Sequence, residues 1–136
     1  MAKSRTSEEE HPNLGVAQAL WAAAAEGDAD KMRELFTDDV LWMTSGRNPL
    51  AGVRHGPEEI FDYLAQVGEA SEDLSSELDG IYVADDAAVI AYHISARRED
   101  KRMEMDYFLM LFMEEGKIHK ALMVPVDQYT NDEFWS

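Results

Sequence analysis

The chain has no cysteine. That excludes disulfides, a thiolate nucleophile and every cysteine metal site, and it fits a cytoplasmic protein. Positive charge is scarce as well: 12 Lys and Arg stand against 28 Asp and Glu in 136 residues, a formal net charge of −16. Nucleic acid and anionic membrane surfaces are bound by Lys and Arg that neutralise phosphate, so neither is expected as a partner. Long apolar runs are missing too. Nothing approaches the roughly 20 residues of a membrane span, and Met1 to Glu10 lack the apolar core of a signal peptide. The four histidines, His11, His55, His93 and His119, are scattered without metal-ligand spacing. No glycine loop has the strand-to-helix spacing that cradles a phosphate or dinucleotide. Neither a metal nor a cofactor is therefore expected.

What is present suffices for one domain with a real core. Residues 1–12 are expected to be a disordered lead-in and 13–136 the folded domain. Asn13 is placed to cap a helix whose Leu14, Ala17, Leu20, Trp21, Ala24 and Ala25 share a face, and Gly27 ends it. Asp28 caps a second helix with Met32, Leu35 and Phe36 on one side. The stretch Phe36 to Gly56 then combines a polar turn at Asp38-Asp39, a β-prone run Val40 to Thr44, and a loop broken by Gly46, Pro49, Gly52 and Gly56. Trp42 and Thr44 lie on one face of that run. Pro57 opens a third helix that buries Ile60, Phe61, Leu64 and Val67.

After Gly68 the period changes to two. Strands are expected over Leu74 to Val83, Ala87 to Arg97, Met103 to Met113 and Ile118 to Val124, separated by polar turns. Helices followed by a meander of strands give an α+β domain with three N-terminal helices on one face of a curved antiparallel sheet. The strand from Met103 to Met113 is apolar on both faces: Phe108, Met110 and Phe112 follow Glu104 and Asp106 on one, with Met103, Met105, Tyr107, Leu109 and Leu111 on the other. A second apolar face needs a cover, and the simplest is another copy of the sheet, a homodimer through the outer face. Phe134 and Trp135 are too large to leave in water, so the tail from Asp127 is expected to fold back.

Gly27-Asp28, Leu35-Phe36-Thr37-Asp38-Asp39-Val40, Gly46-Arg47-Asn48-Pro49-Leu50-Ala51-Gly52 with Gly56, Glu115-Gly116-Lys117-Ile118, and Asp127-Gln128-Tyr129 with Asp132 to Trp135 occur in an order that resembles the SnoaL-like branch of the nuclear transport factor 2-like superfamily. That superfamily also holds ketosteroid isomerases and polyketide cyclases. The resemblance implies a cone-shaped, cystatin-like roll in which helices and the concave sheet face enclose an apolar ligand pocket. It also points toward pairing through the sheets.

Carried onto this chain, the ketosteroid isomerase tyrosine, aspartate base and second acid fall on or near Leu20, Thr44 and Phe108, none of which supports that mechanism. The late acidic residue of the cyclases has no counterpart in Ile118 to Val124, whose ionisable groups are His119 and Lys120. The Asp-Arg-Asp trio of the superfamily's epoxide hydrolases is not placed. Registering on the resemblance gives a pocket of Ala17, Leu20, Trp21, Trp42, Thr44, Phe61, Phe108 and Met110, with Arg47, Asn48 and His55 at its entrance. Such a lining suits a small hydrophobic or aromatic molecule.

Asp106 and His93 are the candidate catalytic groups. Buried beside Phe108 and Met110, Asp106 would be a general acid or base in isomerase, cyclase, lyase or hydrolase chemistry. Placed near the mouth, it would be solvated or paired with Arg47 or Arg97. His93 is read either as a proton-transfer group or as a hydrogen-bonded sheet residue. Two functions stay open: an acid/base enzyme without cofactor, and a non-catalytic ligand-binding or dimerisation module.

Overall fold

A computed structural model describes residues 11–136. The disordered lead-in expected for residues 1–12 lies outside them except for His11 and Pro12, which start the first helix. In chain order the elements are α1 (Pro12–Glu26), α2 (Ala29–Leu35), β1 (Phe36–Thr44), β2 (Gly52–His55), α3 (Gly56–Glu69), β3 (Glu72–Ala84), β4 (Ala87–Arg98), β5 (Lys101–Glu114), β6 (Lys117–Pro125) and α4 (Gln128–Trp135). The domain is α+β. Its six strands form one open, curved sheet in the order β2-β1-β6-β5-β4-β3, antiparallel throughout except for the parallel pair β1 and β6.

Local sequence sets the helix ends. Pro12 occupies the first turn of α1, where its missing N–H costs nothing. His11, not Asn13, is the cap: its Nδ1 accepts from the Asn13 N–H at 3.3 Å. Asn13 instead points its side-chain amide across the domain, donating to the carbonyls of Ala84 at 2.8 Å and Asp85 at 3.0 Å. The start of α1 is thereby tied to the β3–β4 turn. Gly27, at φ 69°, takes the left-handed conformation that closes α1, and Asp28 caps α2 by accepting from the Lys31 N–H.

Three features depart from the sequence expectation. β1 starts at Phe36, so Phe36, read on a helix face, and Asp38-Asp39, read as a polar turn, lie within the strand, where Phe36 pairs with Ile118 of β6. Gly52–His55, read as loop, is a short strand that pairs with the free edge of β1, Met43 opposite Val53. The tail is a fourth helix, α4, capped by Asp127 and buried through Asn131, Phe134 and Trp135. The core lies between α1, α3 and the inner sheet face, where Ala17, Val40, Ile60, Ile90, Leu111 and Ile118 are fully buried. Among the described residues no helix is long and apolar enough to cross a membrane.

Candidate functional site

Between the helices and the inner sheet face lies a cavity of about 270 Å³. Trp42 and Thr44 project into its wall from β1, Ile90 and Tyr92 from β4, Tyr107 and Leu109 from β5, Met123 from β6, and Tyr63 from α3. Each strand contributes alternate residues, as the period of two requires. The more exposed lining residues, Ala24, Ala25, Leu74 and Ser76, place the mouth between the end of α1 and the start of β3. Asn131 and Trp135 bring α4 against the far wall.

Aromatic rings make most of the wall. Tyr92 stacks on Tyr107 with centroids 5.5 Å apart and planes 16° from parallel, and meets Trp21 at 5.3 Å. Trp42 and Tyr63 lie 6.2 Å apart. The Arg54 guanidinium covers the Tyr63 ring at 4.4 Å while donating to the Leu50 carbonyl at 2.7 Å. Burial pushes all three tyrosine hydroxyls up: Tyr92 well above its ordinary value, Tyr107 to about 12, and Tyr63 upward despite smaller opposing effects of Thr44 and Arg54. The Thr44 hydroxyl, although close enough to influence Tyr63, makes no hydrogen bond of good geometry with it. At neutral pH all three are uncharged hydroxyls.

No carboxylate, imidazole, ammonium or guanidinium lines this cavity among the described residues. Its polar groups are hydroxyls, two amides and indole N–H groups. Asn48 is used at both ends: its Nδ2 donates to Asp132 at 2.7 Å and its Oδ1 accepts from the Leu50 N–H at 2.9 Å. Tyr107 donates to Asn131 Oδ1 and accepts from Trp135 Nε1 at 3.4 Å. Trp42 Nε1 and Thr44 Oγ1 are buried without a partner among the described residues. An unpaired buried polar group costs about 1 to 3 kcal/mol, so such groups in a binding wall call for an explanation.

Beside the cavity, a polar latch joins α4 to the loop after β1. One Asp132 oxygen accepts from the Arg47 N–H at 3.0 Å, from Asn48 and from Gln128 Nε2 at 3.1 Å. Partial burial alone would raise the Asp132 pKa, but the donors from Asn48, Arg47 and Gln128 outweigh it and hold it below the usual carboxylate range.

The sequence-derived site divides. Leu20, Trp21, Trp42, Thr44 and Asn48 line the cavity. Ala17 is fully buried in the core without lining it, and Phe61 lies half-buried beneath the Arg33 guanidinium, 5.0 Å from its ring centre. Arg47 is exposed and engaged through its backbone, and His55 precedes α3 with its N–H donating to Glu59 and no cap bond from its side chain; neither lines the cavity.

The main correction concerns β5. Asp106, Phe108 and Met110 are on the outer face, and Met103, Met105, Tyr107, Leu109 and Leu111 are the buried ones. Opposite Asp106 in the β4–β5 register is His93. Its Nδ1 lies 2.8 Å from Asp106 and its Nε2 2.6 Å from Glu104, which also accepts from the Ser95 hydroxyl. Asp106 thus pairs with His93, and Arg97 pairs with Glu72 and Asp73 instead. Neither Asp106 nor His93 reaches the cavity. A one-residue error of phase inverts a whole strand, and two carboxylates on one face were the signal that this face meets water. Tyr63, Tyr92, Tyr107, Asn131 and Trp135 were missed, although the inward alternation of β4 and β5 marks Tyr92 and Tyr107 once the phase is right.

A SnoaL-like domain model matches residues 17–121. An uncharacterized protein of Mycobacterium tuberculosis is 25% identical over 126 residues, covering 91% of this chain and 96% of that protein. Among solved structures, Bal32a from a soil-derived mobile gene cassette superposes with a TM-score of 0.85 at 26% identity, over 95% of this chain and 99% of its own. An NTF2-like protein from Burkholderia xenovorans superposes with a TM-score of 0.82 at 18% identity, over 92% and 96% of the two chains.

Proposed function

We propose that this chain, which belongs to the SnoaL-like domain family, binds a small, uncharged, hydrophobic or aromatic molecule in the cavity between its helices and its sheet. The observation that carries this is the composition of the wall: stacked aromatic rings, aliphatic side chains and neutral polar groups, with no ionic side chain among the described residues. Apolar surface leaves water at roughly 25 cal/mol per Å² buried, so a flat hydrocarbon skeleton gains most of its affinity here by desolvation. A charged molecule would lose hydration without finding a counter-ion.

Chemistry in this cavity falls to neutral groups. The raised tyrosine pKa values keep Tyr63, Tyr92 and Tyr107 protonated, so none abstracts a proton at neutral pH; with the Tyr107 proton given to Asn131, Tyr92 and Tyr63 are the hydroxyls that could polarise a bound oxygen.

The same reading includes a homodimer through the outer sheet face. Val53, Met43, Leu122, Met110, Val89 and Tyr82 stand opposite one another in successive strand registers, a single apolar row across all six strands. At about 4.8 Å per strand the row is roughly 24 Å wide. Val53, Tyr82 and neighbouring Phe108 are 50%, 65% and 41% exposed in the single chain, and a two-fold partner of the same chemistry would cover them.

Calorimetric titration with tetralin, an uncharged two-ring hydrocarbon, tests the binding. Saturable binding at one site per chain, weakened by Ala24→Phe at the mouth, is expected. Absence of binding overturns the proposal.

A further inference from the structure

Resting on that proposed binding function, the rim of the cavity shows how a ligand is admitted. Of the four exposed lining residues, Ala24, Ala25, Leu74 and Ser76, Leu74 alone carries a large side chain, and it is 40% exposed. The width of the mouth therefore depends on where Leu74 stands.

Leu74 belongs to the least supported part of the sheet. β3 is an edge strand, and every residue from Glu72 to Asp79 is exposed, whereas the adjoining β4 buries Ala88, Ile90, Tyr92 and Ala96. Two irregularities of the ladder bracket this segment, one between Glu72 and Ser75 and one between Leu78 and Gly80. At the first, the path from Glu72 to Ser75 is one residue longer than that from Arg97 to Ser95 opposite it, and Asp73 takes φ 54°, a left-handed conformation uncommon outside glycine. Exposed ladder bonds and few buried side chains mark a segment that opens locally at low free energy.

One guanidinium grips this lip. Arg97 Nη2 donates to Asp73 Oδ2 at 2.9 Å and lies 3.1 Å from Glu72 Oε1, so it holds the two residues that precede Leu74. The three charged groups are all in contact with water, which makes the pairing weak and open to screening by salt. We infer that the start of β3, Glu72 to Ser76, is a flap over the cavity mouth, with Leu74 as its closing side chain and Arg97 as its clasp. Arg97 is then a positioning residue that acts through Leu74. Ligand passes when the clasp is released, so Arg97 sets how fast the cavity fills and empties and leaves how tightly it holds unchanged.

The test titrates the full chain with tetralin and takes entry and release rates from the NMR line shapes of the Trp21 and Trp42 indole N–H signals. Arg97→Gln should accelerate entry and release by the same factor, about two- to fivefold, with Kd unchanged. Leu74→Ala, which widens the mouth without touching the clasp, should also accelerate entry. Raising NaCl from about 0.02 M to about 0.5 M should speed both rates in wild type and leave them unmoved in Arg97→Gln. In the ligand-free chain, amide hydrogen exchange over Leu74 to Leu78 should rise in Arg97→Gln while exchange in β5 stays as it is. Saturable binding whose rates ignore both Arg97→Gln and salt would overturn the flap while leaving the binding function in place. A change carried by release alone, with Kd moving in step, would make Arg97 a contributor to affinity and overturn its role as clasp. Failure of tetralin to bind would overturn the binding function and this inference together.

Discussion

His93 and Asp106 face each other across β4 and β5, the imidazole Nδ1 2.8 Å from the carboxylate, with Glu104 closing on the other ring nitrogen at 2.6 Å. The hydrogen bonds to Glu104 and then Asp106 raise the His93 pKa from 6.5 to about 9, so the ring is an imidazolium at neutral pH. A pKa raised by folding contributes stability that is fully present below pH 6.5 and is lost as pH rises through about 9. Glu104 has the opposite sign: lowered chiefly by His93, it contributes above about pH 4.5 and loses that contribution on acidification. Urea unfolding of wild type against His93→Gln should therefore show a difference largest between those limits and shrinking toward pH 10. An NMR titration placing the His93 midpoint at 6.5 would remove the basis of this prediction.

The latch between Gly46 and Asp132 is sterically closed. A Cβ on Gly46 would collide with Asp132 Oδ1 and Gln128 Nε2, and the residue sits at φ 116°, where side chains are rarely tolerated. Gly116 is also at positive φ, 83°, but has open space around it. Gly46→Ala should cost more than about 1 kcal/mol, and distinctly more than Gly116→Ala, by chemical denaturation. Equal costs would mean that backbone conformation alone matters and that the Asp132 contacts yield freely.

How far the sequence reveals this molecule differs between its parts. The helices carry caps and faces that are local, so Gly27, Asp28 and Pro57 mark their boundaries within a residue or two. The four long strands are equally legible from polar turns at Asp85-Asp86 and Glu115-Gly116. The phase of β5 is not a local property. Both its faces are apolar beyond Tyr107, and only pairing with β4 and contact with the helices decide that Leu109 is inside and Met110 outside. Short β2 is stabilised by the edge of β1 and not by its own four residues, which read as a glycine-bounded loop. Asn131 shows no sequence signal of its own, because its meaning comes from Tyr107, 24 positions away.

Phe134 anchors the returning tail: it is 2% exposed and meets Trp135 edge-on at 4.8 Å. Phe134→Ala should cost about 3 to 5 kcal/mol and should loosen the wall formed by Trp135 and Asn131. Thermal denaturation measures the first effect and hydrogen exchange in α4 the second. A loss below 1 kcal/mol would mean that α4 is not part of the cooperative core.

Phe108, with Val124 and Ala91 beside it in register, is an exposed ring on the outer face. Phe108→Glu should shift sedimentation from dimer to monomer with little change in circular dichroism, since the side chain faces away from the core. A wild-type protein that sediments as a monomer at micromolar concentration would contradict the proposed pairing.

All three tryptophans of the chain, Trp21, Trp42 and Trp135, line the cavity. Intrinsic fluorescence therefore reports on its contents, and titration with 1-tetralone, whose carbonyl quenches indole emission, addresses occupancy directly. Saturable quenching at one equivalent per chain, weakened in Ala24→Phe, is the predicted result. Quenching that rises linearly without saturation, no stronger than for free tryptophan in solution, would contradict a ligand-binding cavity.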